Sequence, residues 1–248
     1  MIRTIIVSVL LTLYILLLGP PLLLYSVLTS SVDSLYWMGL RGVLFIVRLV
    51  GVRIRVEGQE NIPRGVCIFV ANHTSAADPP AVVGAIPRRI AILAKDSLFR
   101  IPIVAQAFRL AHFVPVDRSH RESAVASVEK AIDYLKQGNS FLTYPEGTRS
   151  PDGRLLPFKK GPFVMAIKAG APIVPVACAG AQHVLRKGEL RIHPGEIVVR
   201  FGQPIDASTY ALDQRDELAA RVHAAIARAL PPEQQPLGQA QPDSEPAF

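Results

Sequence analysis

From Thr4 to Val32 the chain carries no charged residue, a run of 29 positions. Only a bilayer or a deep core tolerates that much unbroken apolar length, and 248 residues leave room for one ordinary domain in which to bury it. A membrane is the expected destination. Gly19-Pro20-Pro21 interrupts the run; its prolines remove amide donors and crowd the preceding turn, so the pattern predicts a kink or break, with each half too short to span alone. The following segment, Leu35 to Val50, is compatible with a helix and carries Trp37, Arg41 and Arg48, side chains suited to the headgroup zone. Residues 1–50 therefore read as a two-helix membrane anchor. The flanking arginines show no asymmetry that would choose a full crossing over a dip into one leaflet. A cleaved secretory signal fits less well, because no small-x-small site follows the run. The domain that follows is expected to face the cytoplasm at the cytoplasmic membrane.

Downstream, Val52, Ile54 and Val56 alternate with charged residues, and short apolar runs of strand length recur at 66–70, 90–93, 141–144, 173–176 and 197–201, separated by helical stretches. In the clearest helix Val125, Val128, Ile132 and Leu135 share one face, Lys136 follows and Gly138 stops it. Leu218, Val222, Ile226 and Leu230 mark a last amphipathic helix, ending at Pro231-Pro232. Strands alternating with helices predict an α/β fold, a mixed and largely parallel sheet layered by helices, over residues 51–230. The tail from 231 to 248 has almost nothing to bury and reads as disordered.

The only two cysteines, Cys67 and Cys178, lie inside apolar runs, which makes them small buried hydrophobes rather than a disulfide framework or a thiolate site. Neither has a cation beside it in sequence to activate the thiol. The net charge of +7 is unevenly spread: residues 88–121 hold Arg88, Arg89, Lys95, Arg100, Arg109, Arg118 and Arg121 against Asp96 and Asp117, a local excess of +5. Such a face can meet anionic lipid, a phosphorylated substrate, coenzyme A or an acidic carrier protein. Nucleic acid is not expected, because no binding motif accompanies the charge. No cluster has metal-ligand spacing, so no metal or bound cofactor is expected.

His-x4-Asp occurs twice, at His73–Asp78 and His112–Asp117. About 0.25 occurrences are expected by chance, so the spacing alone says little. The second copy brackets Phe113-Val114-Pro115-Val116, and a strand there would hold its ends roughly 16 Å apart. The first follows an apolar strand and ends at Asp78-Pro79-Pro80, a helix start with aspartate as N-cap. A strand-to-helix turn can fold Asp78 back onto His73, so that the carboxylate orients one ring nitrogen and the other takes a proton from a bound hydroxyl. Ser75 sits in no nucleophile-elbow pattern, and its hydroxyl is expected to serve the turn.

Tyr144-Pro145-Glu146-Gly147-Thr148-Arg149 follows a short buried strand. There Gly147 permits close backbone approach and Arg149 can fork onto a phosphate. Lys159 and Lys160 can add charge nearby. The ordered set Asn72 to Asp78, Phe113 to Arg118, Glu146 to Arg149 and Val174-Pro175-Val176 resembles the glycerophospholipid acyltransferases, specifically the 1-acylglycerol-3-phosphate O-acyltransferases, over roughly residues 50–205. Tyr144 stands where that family most often has phenylalanine. The resemblance implies His73 as general base with Asp78 as its partner, and Arg118, Glu146, Gly147, Thr148 and Arg149 as the acceptor's glycerol-phosphate site. It implies transfer from an acyl-CoA or acyl carrier protein thioester to the sn-2 hydroxyl of 1-acyl-sn-glycerol 3-phosphate, giving phosphatidic acid. Two alternatives stay open: another lysolipid acceptor, such as a lyso-ornithine lipid or lysophospholipid, and a non-catalytic lipid-binding protein at the membrane surface.

Overall fold

The computed structural model describes residues 2–117 and 121–237. Its helices are α1 (Ile2–Thr29), α2 (Asp33–Leu49), α3 (Asp78–Ala85), α4 (Pro102–Leu110), α5 (Arg121–Lys136), α6 (Gly161–Ala169), α7 (Ala181–Val184) and α8 (Arg215–Ala229). The strands are β1 (Val52–Glu57), β2 (Ile68–Ala71), β3 (Ala91–Lys95), β4 (Val114–Val116), β5 (Phe141–Thr143), β6 (Ile173–Ala179) and β7 (Gly195–Phe201). They form one sheet in the order β1-β7-β6-β2-β5-β3-β4. Every neighbouring pair is parallel except β6 with β7.

The strand period of two explains the layering. Along the central strand β2, Ile68 and Val70 join an apolar cluster with α5, α6 and α8, including Ile132, Phe163 and Ile226. Cys67, Phe69 and Ala71 face the other way, into a cluster with Tyr36 of α2 and Ala81, Val82 and Ala85 of α3. Because both faces are covered, β2 is wholly buried and its sequence is a continuous apolar run rather than an alternating one. Arg88, expected on a basic face, instead turns inward. It donates to the carbonyls of Pro63 (2.7 Å) and Arg64 (2.9 Å) and to Cys67 Sγ (3.0 Å), so that cysteine has a cation beside it in space although not in sequence.

The break expected at Gly19-Pro20-Pro21 is not present. α1 runs uninterrupted for 28 residues with both prolines inside it. The missing amides leave two carbonyls of the preceding turn without their usual donors, and the helix continues around that local defect. At 1.5 Å per residue it is about 42 Å long, against about 30 Å for a hydrocarbon core. It does not project away from the domain. Thr4 Oγ1 donates to the Leu190 carbonyl (2.6 Å), Tyr14 Oη donates to the Met38 carbonyl (2.7 Å), and Gly19 lies against Ile103 of α4. An Arg89–Asp33 ion pair at 2.9 Å ties the start of α2 to the segment before β3. The chain past Pro231 also departs from expectation: Pro232–Gln234 form a helical turn, Gln234 is buried, and its side-chain Oε1 accepts from the Gly180 amide at 3.2 Å. A glutamine amide can satisfy buried backbone groups that apolar counting overlooks. The rest of that tail, 238–248, lies outside the described residues.

α1 and α2 cross where Gly42 meets the Tyr14 ring, and a Cβ at Gly42 would overlap that ring. Gly42→Val is expected to destabilise the hairpin by about 1–3 kcal/mol, as overpacking does. It should lower the thermal midpoint in detergent while Gly39→Ala, inside the same helix at a position with open space around it, does not lower it, alanine being the better helix residue.

Candidate active site

The parallel pairing of β2 with β5 places the two sequence motifs side by side, since both loops leave the same edge of the sheet. At the end of β2, Asn72 is fully buried and its side chain continues the ladder that the backbone has left. Its Nδ2 donates to the Cys178 carbonyl (2.9 Å) and its Oδ1 accepts from the Cys178 amide (2.7 Å). The chain then turns through His73 to Ala77 into α3. His73 Nδ1 lies 2.9 Å from Asp78 Oδ2, and the same oxygen accepts from the amides of Thr74 (2.7 Å) and Ser75 (2.8 Å). The carboxylate points back into the turn and caps nothing: Asp78 is the first residue of α3, with Ala77 in the cap position. Backward bonding of this kind is an Asx-type use of aspartate. Ser75 Oγ accepts from the Ala77 amide (3.1 Å) and donates to the Leu185 carbonyl (2.7 Å), so it is a turn residue, as expected.

The second copy of the spacing makes no such pair. His112 has a φ of 60°, its Nδ1 lies 3.1 Å from Asn139 Oδ1, and its ring stacks on Tyr134.

At the end of β5 the Tyr144 ring lies 4.3 Å from the His73 ring, centroid to centroid. Its hydroxyl is buried with no hydrogen-bond partner among the described residues. Glu146 is turned inward: Oε1 accepts from the His73 amide (2.7 Å) and Oε2 from the Leu156 amide (3.3 Å). The Ser150 amide donates to the His73 carbonyl at 2.8 Å, so this second loop grips His73 by both backbone groups. Gly147 has a φ of 72°, and a Cβ there would come within 2.7 Å of Lys159 Cε. Thr148 is exposed and Arg149 half-buried, and Lys187 Nζ fixes the loop by donating to the Arg149 carbonyl (2.6 Å). Lys160 points elsewhere, paired with Asp216 at 2.7 Å. Arg118 lies outside the described residues.

Residues 53–179 match the family model described as Acyltransferase. A 1-acyl-sn-glycerol-3-phosphate acyltransferase of Limnanthes douglasii is 34% identical over 194 residues, covering 78% of this chain and 69% of its own length. The enzyme of the same name from Escherichia coli (strain K12) is 35% identical over 157 residues, 63% of each protein. The crystal structure of the 1-acyl-sn-glycerophosphate (LPA) acyltransferase PlsC from Thermotoga maritima superposes with a TM-score of 0.80 at 31% identity, covering 92% of this chain and 93% of that one. The chain belongs to the 1-acyl-sn-glycerol-3-phosphate acyltransferase family.

Within this acyltransferase fold the pair is shielded from solvent. Asp78 is fully buried and the His73 side chain only 13% exposed. An ionised carboxylate only accepts, so it selects the tautomer with hydrogen on Nδ1 and leaves Nε2 free to take a proton. Burial pushes the Tyr144 hydroxyl and the Cys178 thiol well above their ordinary values, with the Asp78 charge acting in the same direction. Both therefore stay neutral. Two contributors were not legible in the motifs: Asn72 and Cys178. Asn72 precedes the histidine directly, and a polar residue ending a buried strand was the available signal. Cys178 gave none, because its partner is 100 residues away.

Burial also raises the Glu146 carboxyl from an ordinary 4.5 to about 8, against the lowering effect of its two amide donors. A carboxyl whose folded pKa lies above its unfolded one contributes stability that is fully present below about 4.5 and is lost as pH rises through about 8. The thermal midpoint of the wild type is expected to fall between pH 5 and pH 8 and then level. Glu146→Gln should remove that slope and lower stability at pH 5, because its amide NH2 would face the Leu156 donor.

Proposed function

We propose that the chain transfers a fatty acyl group from a thioester to the sn-2 hydroxyl of 1-acyl-sn-glycerol 3-phosphate, forming phosphatidic acid. The observation that carries this reading is the 2.9 Å His73–Asp78 pair held against the Glu146–Arg149 turn by the His73 amide. His73 Nε2 takes the proton as the hydroxyl oxygen attacks the thioester carbonyl carbon. Asp78 stabilises the resulting imidazolium, which returns the proton to the departing thiolate. Direct attack is favoured over an acyl-enzyme because the nearby nucleophile candidates are otherwise engaged: Ser75 Oγ is bound within its turn and Cys178 is fully buried. Arg149 and Arg118 supply the guanidinium groups for the acceptor phosphate. Glu146, facing inward, serves as a clamp on His73 rather than as a ligand of the glycerol.

The lipid nature of the acceptor fits the surroundings. Ile5, Val9, Leu13, Leu17 and Leu24 of α1 are exposed, and α1 lies along the domain. That arrangement supports attachment through the α1–α2 hairpin to one leaflet, the catalytic domain remaining on the cytoplasmic side. An apolar cavity of about 410 Å³ between α2, α3 and α4 opens beside the dyad loop, bounded by Ala76, Pro79, Val83, Leu40 and Phe108, and is suited to an acyl chain.

His73→Ala in detergent-purified protein should lower transfer of a labelled acyl group by about 10²–10⁴-fold, the usual contribution of a general base, with acceptor binding largely kept. Transfer by the wild type to a different lysolipid alone would retain the chemistry and replace the acceptor; equal turnover by both proteins would sink the dyad. Gly39 lines the cavity with nothing within 4 Å of its Cβ position, so Gly39→Leu is expected to shift the preferred acyl chain towards shorter lengths, measured by competition among thioesters.

A further inference from the structure

Cys178 lies on β6, a full strand away from the motif residues, and is completely buried. Its backbone is fixed at both polar atoms by the Asn72 side chain, so its side chain has one aim. Sγ lies 3.4 Å from Asp78 Oδ1. The two oxygens of that carboxylate are served very differently. Oδ2 receives His73 Nδ1, the Thr74 amide and the Ser75 amide, all within 2.9 Å. Among the described residues Oδ1 has only Cys178 Sγ and, at 3.5 Å, Thr74 Oγ1. For a hydroxyl that separation is beyond a useful hydrogen bond, whereas 3.4 Å suits the larger sulfur atom. A buried carboxylate oxygen with no donor is costly, so the thiol fills a real need.

We infer that Cys178 is a positioning residue for the dyad: its S–H donates to Asp78 Oδ1, holding the carboxylate plane so that Oδ2 meets His73 Nδ1 and drawing off part of the carboxylate's charge. The inference rests on His73 and Asp78 acting as proposed above. Its consequence is specific. Removing the donor leaves more negative charge facing the ring and makes the imidazolium easier to form; a stronger donor does the reverse. The titratable groups that face Asp78 and His73 are Cys178, Tyr144 and Glu146, and of these only residue 178 changes between the variants.

The test compares wild type, Cys178→Ala and Cys178→Ser as full chains in detergent, measuring kcat/KM from pH 5 to 9 together with the thermal midpoint. In Cys178→Ala the acidic limb should move up by about half a pH unit and the plateau should fall roughly five-fold, the worth of one net hydrogen bond. Cys178→Ser, whose shorter side chain starts its hydroxyl farther from Oδ1 than the sulfur is, should recover only part of the plateau, with its limb between those of the wild type and Cys178→Ala. An acidic limb that stays in place in both variants, whatever happens to the thermal midpoint, would overturn the inference and leave Cys178 as packing. Titration of the His73 ring by NMR gives the same comparison without turnover. A wild type that transfers to no lysolipid would overturn the functional reading and this inference together.

Discussion

A single backbone hydrogen bond, from the His73 amide to Glu146 Oε1 at 2.7 Å, joins the two loops on which the site depends. It exists because β2 and β5 are parallel neighbours at the centre of the sheet, so that the chain leaving each strand emerges beside the other. Parallel strands cannot be joined by tight hairpins, so these loops come from segments more than 70 residues apart in the chain and are brought together only by the ladder between them. The Ser150 amide adds a second contact to the same residue. His73 is therefore held by its backbone from one loop and by its ring from Asp78 in its own loop.

The polar atoms around this junction are buried and almost all partnered. Asn72 closes the end of β2 onto β6, Asp78 gathers three donors on one oxygen, and Glu146 spans two amides. Networks of this sort are rigid when complete, because every displacement exposes an unpaired group in a medium of low polarity. Such rigidity holds the His73 ring in one orientation, which the base proposed above requires. The Tyr144 hydroxyl is the exception, buried without a partner among the described residues while its ring packs on the histidine ring.

The amino-terminal hairpin and the sheet are parts of one packed body. α3 begins at Asp78 and packs on α2, with Leu44 lying against Gly84, so the helix that starts with the dyad's carboxylate also leans on the hydrophobic hairpin. Thr4, Gly19 and Arg89 join that hairpin to the domain at separate points, through Leu190, Ile103 and Asp33.

The chain's linear order alone determined the uncharged run of 29 residues, the alternation of strands and helices, and the two loops carrying His73–Asp78 and Glu146–Arg149. Those features are local: hydrophobic period and turn chemistry are written in residues a few positions apart. It also led to a kink or break at Pro20-Pro21 and an aspartate cap at Asp78; the helix runs on there without a break, and a turn claimed the carboxylate instead of the cap. What only the tertiary structure decided is which strands are neighbours, that Glu146 turns inward to hold His73, and that Asn72 and Cys178 stand behind the dyad. Each depends on the register between strands far apart in the chain, and that register comes from the packing of both sheet faces at once, which no local pattern encodes.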